Sequence, residues 1–298
     1  MELIKRIVLL TTAVWLVLGA AAAAAGSPLK AAASFAVIAD FVRQVGGGRV
    51  EVRSLVPATA DPHSWEPTPH DARSLAAADV LFVNGAGYEE WLQGFVASAA
   101  PAGLPVIELA EGLEPLPGPS HSVHHESGDP HFWLSVPNAV HYVERIVQAL
   151  MTLDPEHAQE YRERADSYVE QLWELDRWLL AALAEIPAEN RLLVTYHNAF
   201  AYFAQRYGFT AVEFLVAHPD REPTARDMAA LANLLADRPR RIVFAEPQFS
   251  GGTRYMQAVA AELGGEVRFL YSATLTEEIP TYIDMMRHNG RVLVEALR

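Results

Sequence analysis

Between Pro155 and Ile186 no glycine and no further proline interrupts the chain, and Tyr161, Ala165, Tyr168, Leu172, Leu175, Leu179, Leu183 and Ile186 recur at steps of four and three. That spacing holds one stripe on one side of an α-helix, so the segment predicts a single helix with one buried face. Asp154 suits the N-cap and Pro155 the first helical position, where a missing N–H leaves nothing unsatisfied. Pro187 stops the helix. At about 1.5 Å per residue the 32 residues of 155–186 make a rod of about 48 Å. Such a rod is longer than one small lobe needs.

On both sides of it short apolar runs alternate with amphipathic stretches: 50–55, 80–84 and 105–109 before, 192–196, 242–246 and 267–270 after. Strands separated by helical segments of ten or more residues indicate βα units and parallel sheets. A further strand near 30–35 is alanine-rich and carries the weakest strand signal. The expected fold is therefore α/β, with two lobes, each holding a mainly parallel sheet and flanking helices, joined by the long helix as a spine. The boundaries follow as an N-terminal lobe over 26–153, a linking helix over 154–187 and a C-terminal lobe over 188–298. The alternative is a single domain with one long surface helix.

Residues 1–25 read as a secretory signal: Lys5 and Arg6 give a basic start, 7–18 an apolar core, and Ala23-Ala24-Ala25 a small-residue cleavage site before Gly26. No later segment has the length and apolarity of a membrane span. The chain has no cysteine. That excludes disulfides and thiolate ligands and removes the thiol needed for lipid attachment, so a periplasm is the expected compartment. The net charge of −14 argues against nucleic-acid binding, which needs a basic surface.

Among the histidines, position singles out His63, His131 and His197. His63 closes Asp61-Pro62-His63 after one strand, His131 closes Asp129-Pro130-His131 after a proline-rich loop, and His197 ends the strand of 192–196. Ligands of open α/β sheets sit beyond the carboxyl ends of strands, so these rings can converge on one cleft. Proline stiffens each Asp-Pro-His loop, and Asp61 and Asp129 can accept the free ring N–H of a ligating histidine. Thr68, Pro69 and Asp71 form a helix start of the capping-box kind, which makes Glu66 and His70 structural or supporting residues rather than ligands. His141, His157 and His288 on helices and His218 in a loop are read as having no role. The loop histidines His121, His124 and His125 form an auxiliary cluster of a composition that binds divalent metals weakly.

The runs DPHSWEPTPHDARSLAAADVLFVNGAGYEEWL, DPHFWLSVPNAV, TYHNAFAYFAQRYGF, REPTARDMAAL and TYIDMMRHN together resemble the metal-binding proteins of zinc and manganese ABC importers, the TroA/ZnuA-like cluster A-I group. The resemblance implies two four-stranded lobes joined by one long helix, with His63, His131 and His197 as metal ligands. It also implies a membrane permease as partner. Histidine at the third position points to Zn²⁺, with Mn²⁺ or iron as the alternative; imidazoles suit zinc and harder oxygen ligands suit manganese. The family's usual fourth ligand is an aspartate from the loop before the last helix, and no aspartate occurs between Asp237 and Asp284. Glu277, Glu278 or Glu246 is left to fill the position, or water does. Three histidines plus water is also a catalytic zinc pattern, so a zinc-dependent hydrolase is a second reading, and a metal chaperone or adhesin a third. A monomer is expected.

Overall fold

The structure, a computed structural model, describes residues 27–117 and 128–298. The expected signal over 1–25 and the loop histidines His121, His124 and His125 lie outside the described residues.

Strands β1 (Leu29–Ala33), β2 (Val50–Ser54), β3 (Val80–Val83) and β4 (Val106–Glu108) form one sheet in the order β2-β1-β3-β4, parallel throughout. Helices α1 (Ala36–Gly46), α2 (Pro69–Ala76) and α3 (Leu92–Ala99) cross over between them, as a parallel sheet requires. Alanine is a poor strand former, yet Ala31, Ala32 and Ala33 hold the sheet's interior at 0–2% exposure, because β1 is paired on both edges. The capping box at α2 is present, with Thr68 and Asp71 reciprocally bonded.

The second sheet repeats the plan: β5 (Leu192–His197), β6 (Ala211–Val216), β7 (Ile242–Ala245) and β8 (Glu266–Phe269) run parallel in the order β6-β5-β7-β8. Helices α6 (Ala201–Tyr207), α7 (Ala225–Ala236) and α8 (Ser250–Leu263) connect them. Of the eight strands, β6 is the one that the apolar runs of the sequence do not announce.

Between the sheets run α4 (Val136–Leu153) and α5 (Ala158–Leu183), joined by a 3-10 turn at Pro155–His157. The spine helix therefore starts later and ends earlier than its periodicity predicts. Asp154 does not cap it; its carboxylate accepts from the His157 ring at 2.9 Å and from the Tyr161 hydroxyl at 2.7 Å, which bends the entry into a turn. The stripe itself is as expected, every member from Tyr161 to Ile186 being buried. Asp176 joins it, accepting from Arg206 Nε and the Tyr207 hydroxyl, each at 3.1 Å, and so ties α5 to α6.

The last helix, α9 (Tyr282–Leu297), returns to pack on α5 and touches α1. Hydrogen bonds cross between the halves beside the histidine loops. Trp133 Nε1 donates to the Ser272 carbonyl (2.6 Å), the Tyr282 hydroxyl to the Trp133 carbonyl (2.7 Å), and the Tyr202 hydroxyl to the Asp129 carbonyl (2.7 Å). One apolar core runs continuously from Phe41 on α1 through Tyr142 and Leu172 on the central helices to Phe203 and Met285.

Candidate metal site

His63, His131 and His197 meet between the carboxyl ends of the two sheets; each offers a ligand atom, and those atoms lie within 4.8 Å of one another. Each arrives by a different local device. In the loop after β2, Asp61 accepts the His63 backbone N–H (3.0 Å) and the Ser64 hydroxyl (2.8 Å), a turn that fixes where the imidazole leaves the chain. In the loop before α4, one oxygen of Asp129 accepts both the backbone N–H of His131 (2.9 Å) and its Nδ1 (2.8 Å). His197 is the last residue of β5, and its Nδ1 lies 2.6 Å from Glu246 Oε1 at the end of β7. The three rings are 6%, 1% and 1% exposed.

The carboxylates decide the tautomers. An Nδ1 facing a carboxylate oxygen at hydrogen-bond distance carries the proton, so the Nε2 atoms of neutral His131 and neutral His197 present lone pairs. Those two atoms are 3.4 Å apart, and His131 Nε2 is 3.1 Å from His63 Nε2. Lone pairs facing each other in a buried cavity repel unless a cation lies between them. Tetrahedral zinc with Zn–N near 2.05 Å sets its ligand nitrogens about 3.3 Å apart, a value that both separations bracket.

Protonation follows the same logic. Burial lowers the His131 pKa from its ordinary 6.5, and the adjacent Asp129 offsets this only in part. Burial pulls His197 down too, but the charge and hydrogen bond of Glu246, aided by Asp61 and Asp129, raise it above 6.5. Around the rings stand Tyr88, 4.4 Å from His63 between ring centroids, Trp133, 5.4 Å from His131, and Phe249, 5.1 Å from His197. They give the site a dry wall.

The remaining fourth-ligand candidates do not face the cluster. Glu277 and Glu278 are exposed, as are Glu66 and His70. Glu246 is 1% exposed but stands behind His197, its second oxygen accepting from Ser272 Oγ and from Gln248 Nε2 (3.3 Å). It positions a ring instead of facing the cluster. The residue that sequence reasoning missed is His218. It is 8% exposed, two residues beyond the end of β6, with its ring centroid 4.9 Å from that of His63. Recognising β6 would have put His218 at a strand's carboxyl end, where the other histidines were found.

A family model described as the periplasmic component A of zinc-uptake complexes matches residues 32–296. The manganese-binding lipoprotein MntA of Halalkalibacterium halodurans is 32% identical over 275 residues, covering 91% of this chain and 89% of the relative. The iron-binding protein YfeA of Yersinia pestis is 31% identical over 265 residues, covering 86% and 82%. The Mn-bound periplasmic metal-binding protein from Candidatus Liberibacter asiaticus superposes with a TM-score of 0.80 at 27% identity, over 91% of this chain and 100% of that one.

Proposed function

The chain belongs to the family of periplasmic zinc-uptake components, and on that premise we propose that it captures Zn²⁺ between His63, His131 and His197 and delivers it to the membrane permease of an ABC importer. The observation that carries this is the approach of His131 Nε2 to the Nε2 atoms of both His63 and His197 at the spacing of a tetrahedral site, with the rings of His131 and His197 fixed from behind by Asp129 and Glu246.

Relatives are named for manganese and iron, so what supports zinc is the donor set. The groups facing inward are imidazoles, which suit Zn²⁺, whereas Mn²⁺ favours carboxylate oxygen. Asp129 and Glu246 each turn one oxygen to a ring N–H and stand behind the imidazoles. The second reading, a zinc hydrolase, needs a carboxylate free to take a proton beside the metal, and Glu246 is bonded through both oxygens. No helix among the described residues is long and apolar enough to cross a membrane.

Because the rings are buried, zinc leaves only when a ligand loop moves. A permease that favours the displaced loop lowers affinity by its differential binding to the two states.

The test is a calorimetric titration of the protein from Gly26 onward, stripped by chelator, with Zn²⁺ and Mn²⁺, repeated on His131→Ala. One tight zinc site, abolished in the variant and much weaker for manganese, is expected. A tight site indifferent to the substitution overturns the assignment, and ester turnover lost on chelation would favour the hydrolase.

A further inference from the structure

We infer that His218 is the fourth metal-ligating side chain, closing the site as a fourth imidazole; this rests on the three-histidine reading above. Three nitrogens leave a tetrahedral ion one position short. The carboxylates weighed for it are elsewhere: Glu277 and Glu278 are exposed, and Glu246 holds His197.

His218 meets the requirements they fail. It is buried. Its ring centroid lies 4.9 Å from that of His63, as near to it as those of His131 (5.2 Å) and His197 (5.6 Å). Strand pairing explains the placement: Val216 is in register with His197 on the neighbouring strand, and two more residues of β6 carry His218 over the same sheet end. Its Nδ1 faces Asp220, with the carboxylate at 3.6 Å and the backbone N at 3.4 Å. In this arrangement the Asp220 N–H donates to Nδ1, so ligation through Nε2 needs the ring proton on Nδ1, where the Asp220 carboxylate is placed to accept it once the loop closes.

The sequence His218-Pro219-Asp220 is the Asp-Pro-His loop in reverse, and the proline stiffens it likewise. His218 lies outside the group of ligand atoms within 4.8 Å, so closure involves a short inward shift of its loop onto the ion. A four-imidazole site discriminates against Mn²⁺ more strongly than a histidine and carboxylate set does.

The test begins with zinc-edge X-ray absorption on the zinc-loaded wild-type protein, which counts imidazole ligands without any substitution. Four are expected; three plus an oxygen ligand overturns the inference. His218→Gln should then show three, with zinc affinity reduced by about 100-fold, since even removing a partner behind a ligand costs about 10–100-fold. His218→Asp should gain manganese affinity. Unchanged zinc affinity and ligand count in His218→Gln, with binding still abolished by His131→Ala, refutes His218 while leaving the three-histidine site intact. Zinc binding indifferent to both substitutions refutes both.

Discussion

Asp129 spends one oxygen on two N–H groups of the same histidine, and so sets both the position and the tautomer of the ring at the centre of the cluster. Asp129→Asn keeps the shape but can turn an N–H toward Nδ1, moving the ring proton to the nitrogen that should bind metal. Zinc affinity should fall by about 10–100-fold with little loss of fold, measured by competition with a chelating dye. An unchanged affinity would mean that packing alone fixes His131. Acid should release the metal, because imidazoles ligate only when neutral. His197, raised above 6.5, protonates first and His131, lowered, only in stronger acid. The apparent Kd should therefore rise by about tenfold per pH unit once pH falls below the His197 value, and more steeply further down. A Kd constant from pH 8 to pH 5.5 would exclude histidine ligation.

Glu89 offers a separate test at the same scale. Burial raises its carboxyl to about 7, outweighing donors from Ser34 and from the Asn84 and Gly85 backbone. A folded pKa above the unfolded one stabilises the fold fully below pH 4.5, and that contribution is lost as pH rises toward 7. About 3 kcal/mol is at stake, at about 1.36 kcal/mol per pKa unit. Urea unfolding of the metal-free protein should weaken across that window, and Glu89→Gln should remove the slope. Equal slopes in the two proteins would place the titration elsewhere.

At the scale of elements, Gly290 sits inside α9 where a Cβ would come within 2.8 Å of Leu179 Cδ2 and of Trp178. Alanine there gains about 1 kcal/mol of helix propensity, which offsets part of the clash. Valine is bulkier and loses that gain, so Gly290→Val should cost about 1–3 kcal/mol in urea unfolding. No loss would mean that α5 and α9 have room between them. Elements announced by periodicity were the legible ones: the buried stripe of α5 and seven of the eight strands appear in the sequence as apolar runs. The other, β6, is an edge strand interrupted by exposed Glu213, and a strand that needs only one covered face leaves no continuous run. Missing β6 also hid His218, whose proximity to His63 comes from pairing and not from any local motif. The start of α5 was misjudged because Asp154 finds partners in His157 and Tyr161 that outcompete a cap, and the supporting role of Glu246 needed the distance across the sheet from β7 to β5.

For the whole molecule, the question is whether the two sheets behave as separate lobes. A hinge would require a core divided between them, yet one cluster spans both sides of α5, and β5 belongs to two layers at once. Leu193 points into the shared core while Leu192, Val194 and Tyr196 point into the outer layer under α7 and α8. The outer layer cannot melt without disturbing β5, and β5 cannot be disturbed without exposing the shared core. The metal-free protein should therefore unfold in one transition. Tryptophan fluorescence, which comes from Trp65, Trp91 and Trp133 in the first half and from Trp173 and Trp178 on α5, should coincide with circular dichroism from the entire chain. Zinc binds only the folded cluster, so it should move both curves together, by about 2.7 kcal/mol at a free concentration of 100 times Kd. Two separated transitions, or a zinc shift in one probe alone, would mean that the spine is a linker between independent lobes, and capture could then proceed by wide closure. Coincident curves would confine the functional motion to the ligand loops, which is where a permease would have to act to release the ion.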